Sequence, residues 1–354
     1  MLKGKSVAFR LTILIILCSM IVFAIQFTYF YIDSRKITIN SVEQIAKNMS
    51  ESTVNKIETI LKSTMKITTS YQSFIESGRL SDSNIRTYIK SIVENNIEIF
   101  GSTISFEPYM FDSTIKFYGP YYYKNNKQIK YENLANESYN YLNWGWYKEP
   151  KELNKPVWSE PYFDEGAGNI VMSTYSNPLY KTTEQGKKFI GVATCDISLD
   201  SLNGILKSLE IYKTGYAYLI SRKGVLISHP NPDFIIKETI FSVAIEKKDT
   251  MLYHHGTQMT RGKSGFFPYK SIVSGKTGYI YYMPLKSTGW SLGIFFPEDE
   301  ILSEMNNLSN TIIILGIIGF IVIIVTVITI AKSITGPLDR SEERRVGKEC
   351  RSRW

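Results

Sequence analysis

LTILIILCSMIVFAIQFTYFYI (residues 11–32) and TIIILGIIGFIVIIVTVITIA (residues 311–331) decide how this chain is built. The first is 22 residues long with one amide, Gln26, and no charge; the second is 21 residues long and also uncharged. A helix of either length crosses the ~30 Å hydrocarbon core of a bilayer. Residues 33–310 lie between them and carry the aromatics, turn residues and charges of a folded domain. The pattern predicts two transmembrane helices and one folded segment on a single side of the membrane.

Charge sets the expected orientation. Lys3, Lys5 and Arg10 precede the first span and Lys332 follows the second. The positive-inside rule therefore places residues 1–10 and the C-terminal end in the cytoplasm, with residues 33–310 outside the cell membrane. The first span is longer than a signal-peptide core and lacks a small-x-small cleavage site, so it reads as a retained anchor. The net charge of +8 is concentrated at the ends, and residues 33–310 hold only +2 of it. A nearly neutral outer segment gives no reason to expect nucleic acid; membrane lipid is the expected surface partner. Cys18 lies in the first span, Cys195 in the outer segment and Cys350 near the far end. One outer cysteine makes no internal disulfide, so a hydrophobic core must hold the segment together.

RSEERRVGKECRSRW (residues 340–354) is rich in Arg where the rest of the chain uses Lys. It resembles the in-frame translation of a DNA-sequencing-library adapter and is set aside as a non-native tail. The other reading is a basic, membrane-facing tail. On the adapter reading, the natural protein continues past Asp339 into an output domain.

From Ile39 to Ile75, apolar residues recur at helical spacing: Ile39, Val42, Ala46, Met49, Ile57, Ile60, Leu61, Ile67 and Phe74. No Gly or Pro interrupts them, which predicts one helix ~55 Å long at ~1.5 Å per residue. So long a stripe serves either as a homodimer seam or as packing along the domain itself. Gly78 ends it, and Ser81 or Asp82 caps a second helix reaching about Glu94. Strand signals follow at residues 100–107, 117–130 (turned at Asn125-Asn126), 158–162, 169–176 and 188–197, with Gly166–Gly168 as a turn. Residues 199–209 form an amphipathic helix. The pattern then restarts, with strands at 217–221 and 225–228 around Arg222-Lys223-Gly224, and at 278–284 and 290–297 around Ser287-Thr288-Gly289. Pro297-Glu298-Asp299-Glu300 opens a helix into the second span. The expected fold class is α+β.

Five motifs now stand in order: WSEPYFD (158–164), GVATCDI (191–197), TGYAY (214–218), HPN (229–231) and TGWSLG (288–293). With these, residues 33–310 resemble the double Cache family of bacterial extracytoplasmic sensor domains. SITGPL (333–338) resembles the opening of a HAMP linker, which would occupy residues 332–339. The resemblance implies a long N-terminal helix and two PAS-like antiparallel-sheet modules. The distal, ligand-binding module would span about 97–210 and the membrane-proximal one about 211–300. It further implies a transmembrane receptor: usually a methyl-accepting chemotaxis protein, less often a sensor histidine kinase or diguanylate cyclase. A membrane-anchored enzyme or adhesin is the competing class; the HAMP-like opening and the lack of a nucleophile–base set argue against it.

The resemblance also implies a site. Amino-acid-sensing members carry Tyr, Arg, Trp, a Tyr-x-Asp pair and a later Asp. Carried onto this chain, these positions are Tyr139, Trp144, Trp146, Tyr162, Asp164 and Asp196, with Trp144 standing where the family has Arg. In the family the Arg pairs with the ligand carboxylate, and the acidic residues and first Tyr take the ammonium. A buried carboxylate left without its partner costs ~3–5 kcal/mol, two to three decades of affinity. The aromatic side chains would instead add cation–π contacts of roughly 0.5–2 kcal/mol each. The expected ligand is thus a small amine without an essential carboxylate, with an amino acid as the alternative. Structural roles compete at each position. One of Trp144 and Trp146, which alternate, would pack in the core; Asp164 would cap the 164–168 hairpin; Asp196 would pair with Lys187; and the Tyr139 assignment would be off by two.

No catalytic motif is present, and no cofactor or metal is expected. His229 reads as a turn residue, and the adjacent His254 and His255 make a poor chelate.

Overall fold

The computed structural model describes residues 7–78, 80–126 and 128–351; Lys3 and Lys5, on which the orientation argument leans, lie outside them. In chain order the elements are α1 (Val7–Glu76), α2 (Asp82–Asn95), β1 (Gly101–Phe106), β2 (Pro120–Asn125), β3 (Gln128–Asn133), α3 (Gly145–Leu153), β4 (Val157–Trp158), β5 (Tyr162–Phe163), β6 (Val171–Thr183), β7 (Gly186–Ser198) and α4 (Leu199–Lys207). Then follow β8 (Tyr216–Ile220), β9 (Leu226–Ser228), α5 (Ile240–Glu246), α6 (Thr250–Thr260), β10 (Gly265–Lys270), β11 (Thr277–Pro284), β12 (Ser291–Pro297), α7 (Glu298–Ile301) and α8 (Ser303–Arg351). The contacts divide the chain into the helical ends as one unit and Glu43–Glu298 as the other.

In the helical unit, the N-terminal part of α1 and α8 are each long and apolar enough to cross a membrane. Phe23 meets Phe320 edge-on at 5.9 Å. A Cβ at Gly316 would stand 2.3 Å from the Phe27 ring, so glycine is what lets that ring lie against α8.

Glu43–Glu298 holds two antiparallel sheets. The first runs β3-β2-β1-β7-β6-β4, with β5 also on β6; the second runs β10-β11-β12-β8-β9. The expected 158–162 strand is broken into β4 and β5, because Pro161 has no N–H to give a ladder. The 169–176 and 188–197 strands extend into a 13-residue pair. α3, α5, α6 and β10 were not anticipated. Of Trp144 and Trp146, the one that packs in the core is Trp146: Trp144 is the N-cap of α3, whose inward face is Trp146, Tyr147 and Pro150.

The stripe on α1 lies along its own domain. Ala46, Ile57, Leu61, Tyr71 and Ile75 are buried, and Lys47, Glu51, Lys56 and Lys62 face outward. Its upper turns pack with Ile85, Ile89 and Val93 of α2 against Ile104, Leu179 and Cys195 of the first sheet. The Gln72 amide donates to the Tyr180 carbonyl (2.9 Å) and accepts from its N–H (3.0 Å), satisfying backbone freed where the β6–β7 register shifts. Lower down, the Glu58 carboxylate accepts from the Ser287 N–H (2.9 Å) and hydroxyl (2.5 Å), tying α1 to the β11–β12 turn. The two modules also touch directly, through Trp158 against Trp290 (6.3 Å). In addition, Arg222 beyond β8 reaches Glu160 (3.0 Å) and Glu149 of α3 (3.5 Å).

Truncating the stripe tests this packing. Leu61→Ala is expected to cost about 2–5 kcal/mol, a large drop in the melting temperature of the full chain in nanodiscs. Lys56→Ala should stay within about 0.5 kcal/mol. Equal effects would mean that the stripe does not carry the fold.

Candidate functional site

Alternation along the strands of the first sheet separates two faces. On β7, Ala193 and Cys195 turn to the α1–α2 core, whereas Val192, Thr194 and Asp196 turn to the other side. Thr103 stands opposite Thr194, and Gly101 opposite Asp196. Above this second face, α3 and the 134–144 loop build an aromatic cover of Tyr139, Tyr141, Trp146 and Tyr147. Between the layers is a cavity bounded by Tyr121, Tyr139, Trp146, Tyr162, Asp164 and Asp196. Its free volume is about 10 Å³, room for a single water molecule.

Five of the six expected residues thus line one cavity. The sixth, Trp144, is half-buried at its edge. Its ring stacks on Tyr139 at 4.9 Å and leans on Tyr162 at 5.7 Å, and its indole N–H donates to the Tyr139 carbonyl (3.0 Å). Among the described residues no Lys or Arg lines the cavity.

Both carboxylates are almost wholly buried, Asp164 at 2% and Asp196 at 3% exposure. Asp164 does cap its hairpin, accepting the Gly168 N–H at 2.6 Å, but its other oxygen takes the Tyr139 hydroxyl at 2.7 Å. It therefore serves the turn and the cavity together. Glycine at 168 permits this, since a Cβ there would press on Phe100 at 2.8 Å. Burial raises the Asp164 pKa, opposed by these two hydrogen bonds.

Asp196 does not pair with Lys187, which stands opposite Thr182 far down the β6–β7 ladder. Its cross-strand neighbour Thr174 donates to it at 2.8 Å. Since that hydroxyl's proton is committed, Tyr162 donates in turn to Thr174 (2.7 Å), a relay ending on the carboxylate. Burial, helped by the charge of Asp164, pushes the Asp196 pKa up to about 7 against the Thr174 hydrogen bond.

Tyr121 escaped the sequence reading. It is 3% exposed and lines the cavity, and its hydroxyl lies near Asp196 without forming a hydrogen bond of ordinary geometry. A Cβ at Gly101 would fall 2.1 Å from that hydroxyl, so only glycine leaves it space. The alternation in PYYYKN could have revealed it, because Tyr121 and Tyr123 share the pocket face. Among the described residues no group of three or more His, Cys, Asp or Glu side chains is placed to hold a metal.

One long helix serving two tandem antiparallel sheets, with a carboxylate-and-aromatic cavity against the first, is the arrangement of a two-module Cache fold. Residues 85–204 match the family described as methyl-accepting chemotaxis protein-like, first PDC sensor domain. The methyl-accepting chemotaxis protein McpC of Bacillus subtilis is 24% identical over 206 residues, 57% of this chain and 27% of McpC. The chain spans about a quarter of the length of the curated relatives it matches. The extracellular domain of the putative histidine kinase mmHK1S-Z3 superposes with a TM-score of 0.64 at 23% identity, over 77% of this chain and 99% of that one. The ligand-binding domain of the Pseudomonas aeruginosa amino acid chemoreceptor PctC, solved with GABA, superposes with a TM-score of 0.51 at 18% identity, over 72% and 99%. At these identities the structural likeness establishes the fold.

Asp196 gives a stability test with a defined sign. Its folded-state pKa stands above the ordinary carboxylate value, so the folded protein is favoured at low pH. That advantage is lost as pH rises from about 4 through about 7. Asp196→Asn should therefore stabilise the full chain at pH 8, by on the order of 2–4 kcal/mol, and change little at pH 4. Melting curves at both pH values check this, and a mutant effect independent of pH would refute the burial argument.

Proposed function

We propose that this chain is the input portion of a two-pass transmembrane chemoreceptor whose distal module, about residues 97–210, binds a small cationic amine. In this reading residues 33–310 face outward, both ends are cytoplasmic, and lipid surrounds the two spans. The receptor works as a homodimer, and the signal passes through the proximal module, about 211–300, and the second span into a HAMP linker beginning at 332–339. The chemotaxis relatives favour a methylation-linked output, with kinase or cyclase output as the alternative.

The observation that carries the ligand assignment is a pair of buried carboxylates walled by aromatic rings with no basic side chain among them. An ammonium would gain charge-assisted hydrogen bonds from both acids and meet the Tyr121 hydroxyl. Trp144 contributes a ring face where a carboxylate would need a guanidinium. The cavity holds about one water as it stands, so binding opens the α3 side of the pocket, much as lids open in other sensors.

An amino-acid ligand is the second reading. It is favoured by the ligands of the structural neighbours, GABA for PctC and asparagine for Mlp24. Calorimetry on the full chain in nanodiscs separates the two, using pairs such as tyramine and tyrosine, histamine and histidine, or choline and betaine. The amine of a pair should bind at least tenfold more tightly; equal affinities would overturn the amine assignment. Trp144→Arg should reverse the preference by supplying the missing cation.

Proton linkage provides an independent check. Unliganded Asp196 is about half protonated at pH 7, and a bound ammonium requires it ionised. Amine affinity should therefore weaken towards tenfold per pH unit below about 7 and level off above it, with proton release on binding near pH 7. Heats measured in buffers of different ionisation enthalpy report that release; proton uptake or pH-independent affinity would contradict it.

A further inference from the structure

A larger cavity, about 280 Å³, lies between the C-terminal half of α4 and the β8–β9 hairpin, away from the carboxylate pocket. Its walls are mixed: Leu206 and Ala217 supply apolar surface, and Asn203, Lys207, Ser228 and His229 supply polar groups. His229 is 7% exposed. Its Nδ1 stands 3.1 Å from the Asn231 nitrogen, whose N–H donates to it, and 3.3 Å from the Asn231 carbonyl oxygen; the shorter contact assigns the ring proton to Nε2, which has no hydrogen-bond partner among the described residues. Burial holds this imidazole neutral, with its pKa lowered to about 4. The Ser228 hydroxyl is spent on the Asn203 carbonyl oxygen, which leaves the Asn203 amide N–H groups unused. The Lys207 side chain is exposed and forms no ion pair among the described residues.

The side-chain groups left over are therefore donors: an imidazole N–H, an amide and an ammonium. The opposing negative end of α4 is largely spent, since the Gly204, Ile205 and Leu206 carbonyls already accept from Ser208 and Leu209. A ligand that fits must bring acceptors at one end and apolar surface at the other.

We propose that this seam is a second small-molecule site, which binds a short-chain monocarboxylate through His229, Lys207 and Asn203. It spans the distal module's closing helix and the first hairpin of the proximal module, so an occupant would stiffen the joint between them.

The test uses the full chain in nanodiscs with ¹³C-labelled histidine, where only three histidines contribute signals. Sodium butyrate should shift the His229 resonance saturably and raise its pKa by at least half a unit, a response that a purely structural turn residue would not give. Lys207→Met, a surface change, should weaken butyrate at least fivefold. Asp196→Asn should leave the butyrate response intact, which separates this site from the amine pocket. Absence of a butyrate shift, an equal response to inorganic phosphate or butylamine, or an unaffected Lys207→Met variant would each overturn the proposal.

Discussion

Residues Glu43–Glu298 depend on a single helix, α1, which buries one face, packs on the first sheet and is tied by Glu58 to a turn of the second. A 3.6-residue period lets α1 present the same azimuth again after many turns, so residues as far apart as Ala46 and Ile75 are both buried. Apolar contact alone would let such a helix slide along its axis. Glu58 and Gln72, about 21 Å apart along it, prevent that because each holds a backbone amide at one particular turn of the partner module. Specific polar contacts thus set the longitudinal position and hydrophobic burial supplies the adhesion.

The first-sheet module keeps an electrostatic deficit in its centre. A core built for stability alone would not place Asp164 and Asp196 on the same buried surface, where each raises the other's cost of ionisation. Thr174, Tyr139 and the Gly168 amide offset part of that cost without supplying a positive charge. The Tyr121 hydroxyl, without a hydrogen bond of ordinary geometry, adds to the deficit. Unmet polar capacity concentrated in one spot is what the proposed ligand site requires.

Much of this was legible in the sequence wherever periodicity or punctuation was strong. The long helix, Ser81 as the cap of α2, and the paired strands of both modules follow from 3.6- and 2-residue spacing and from Asn-Asn and Gly turns. The helix α5 was missed because its seven residues, IFSVAIE, are too short to show a helical period, and α6 because it carries His-His-Gly in place of a clean apolar stripe. That one of Trp144 and Trp146 packs in the core was legible; the helix α3 that turns Trp146 inward, leaving Trp144 on Tyr139, was not. Five cavity residues were reachable by matching motif positions one by one. Tyr121 and Thr174 were not, because their importance comes from cross-strand register, which pairs Tyr121 with Thr103 and Thr174 with Asp196, residues distant in the sequence.

Arg222 divides one guanidinium between two carboxylates, and all three groups are partly open to water. Exposed pairs of this kind are worth under about 1 kcal/mol each, so the fastening between α3 and the neighbouring hairpin is shallow. Its mechanical character is that of a detent rather than a weld: it selects one resting alignment, yet thermal energy suffices to slip it. Screening by salt would soften it further. The stiffness of the whole outer segment should accordingly vary with the ionic strength of the medium that bathes it.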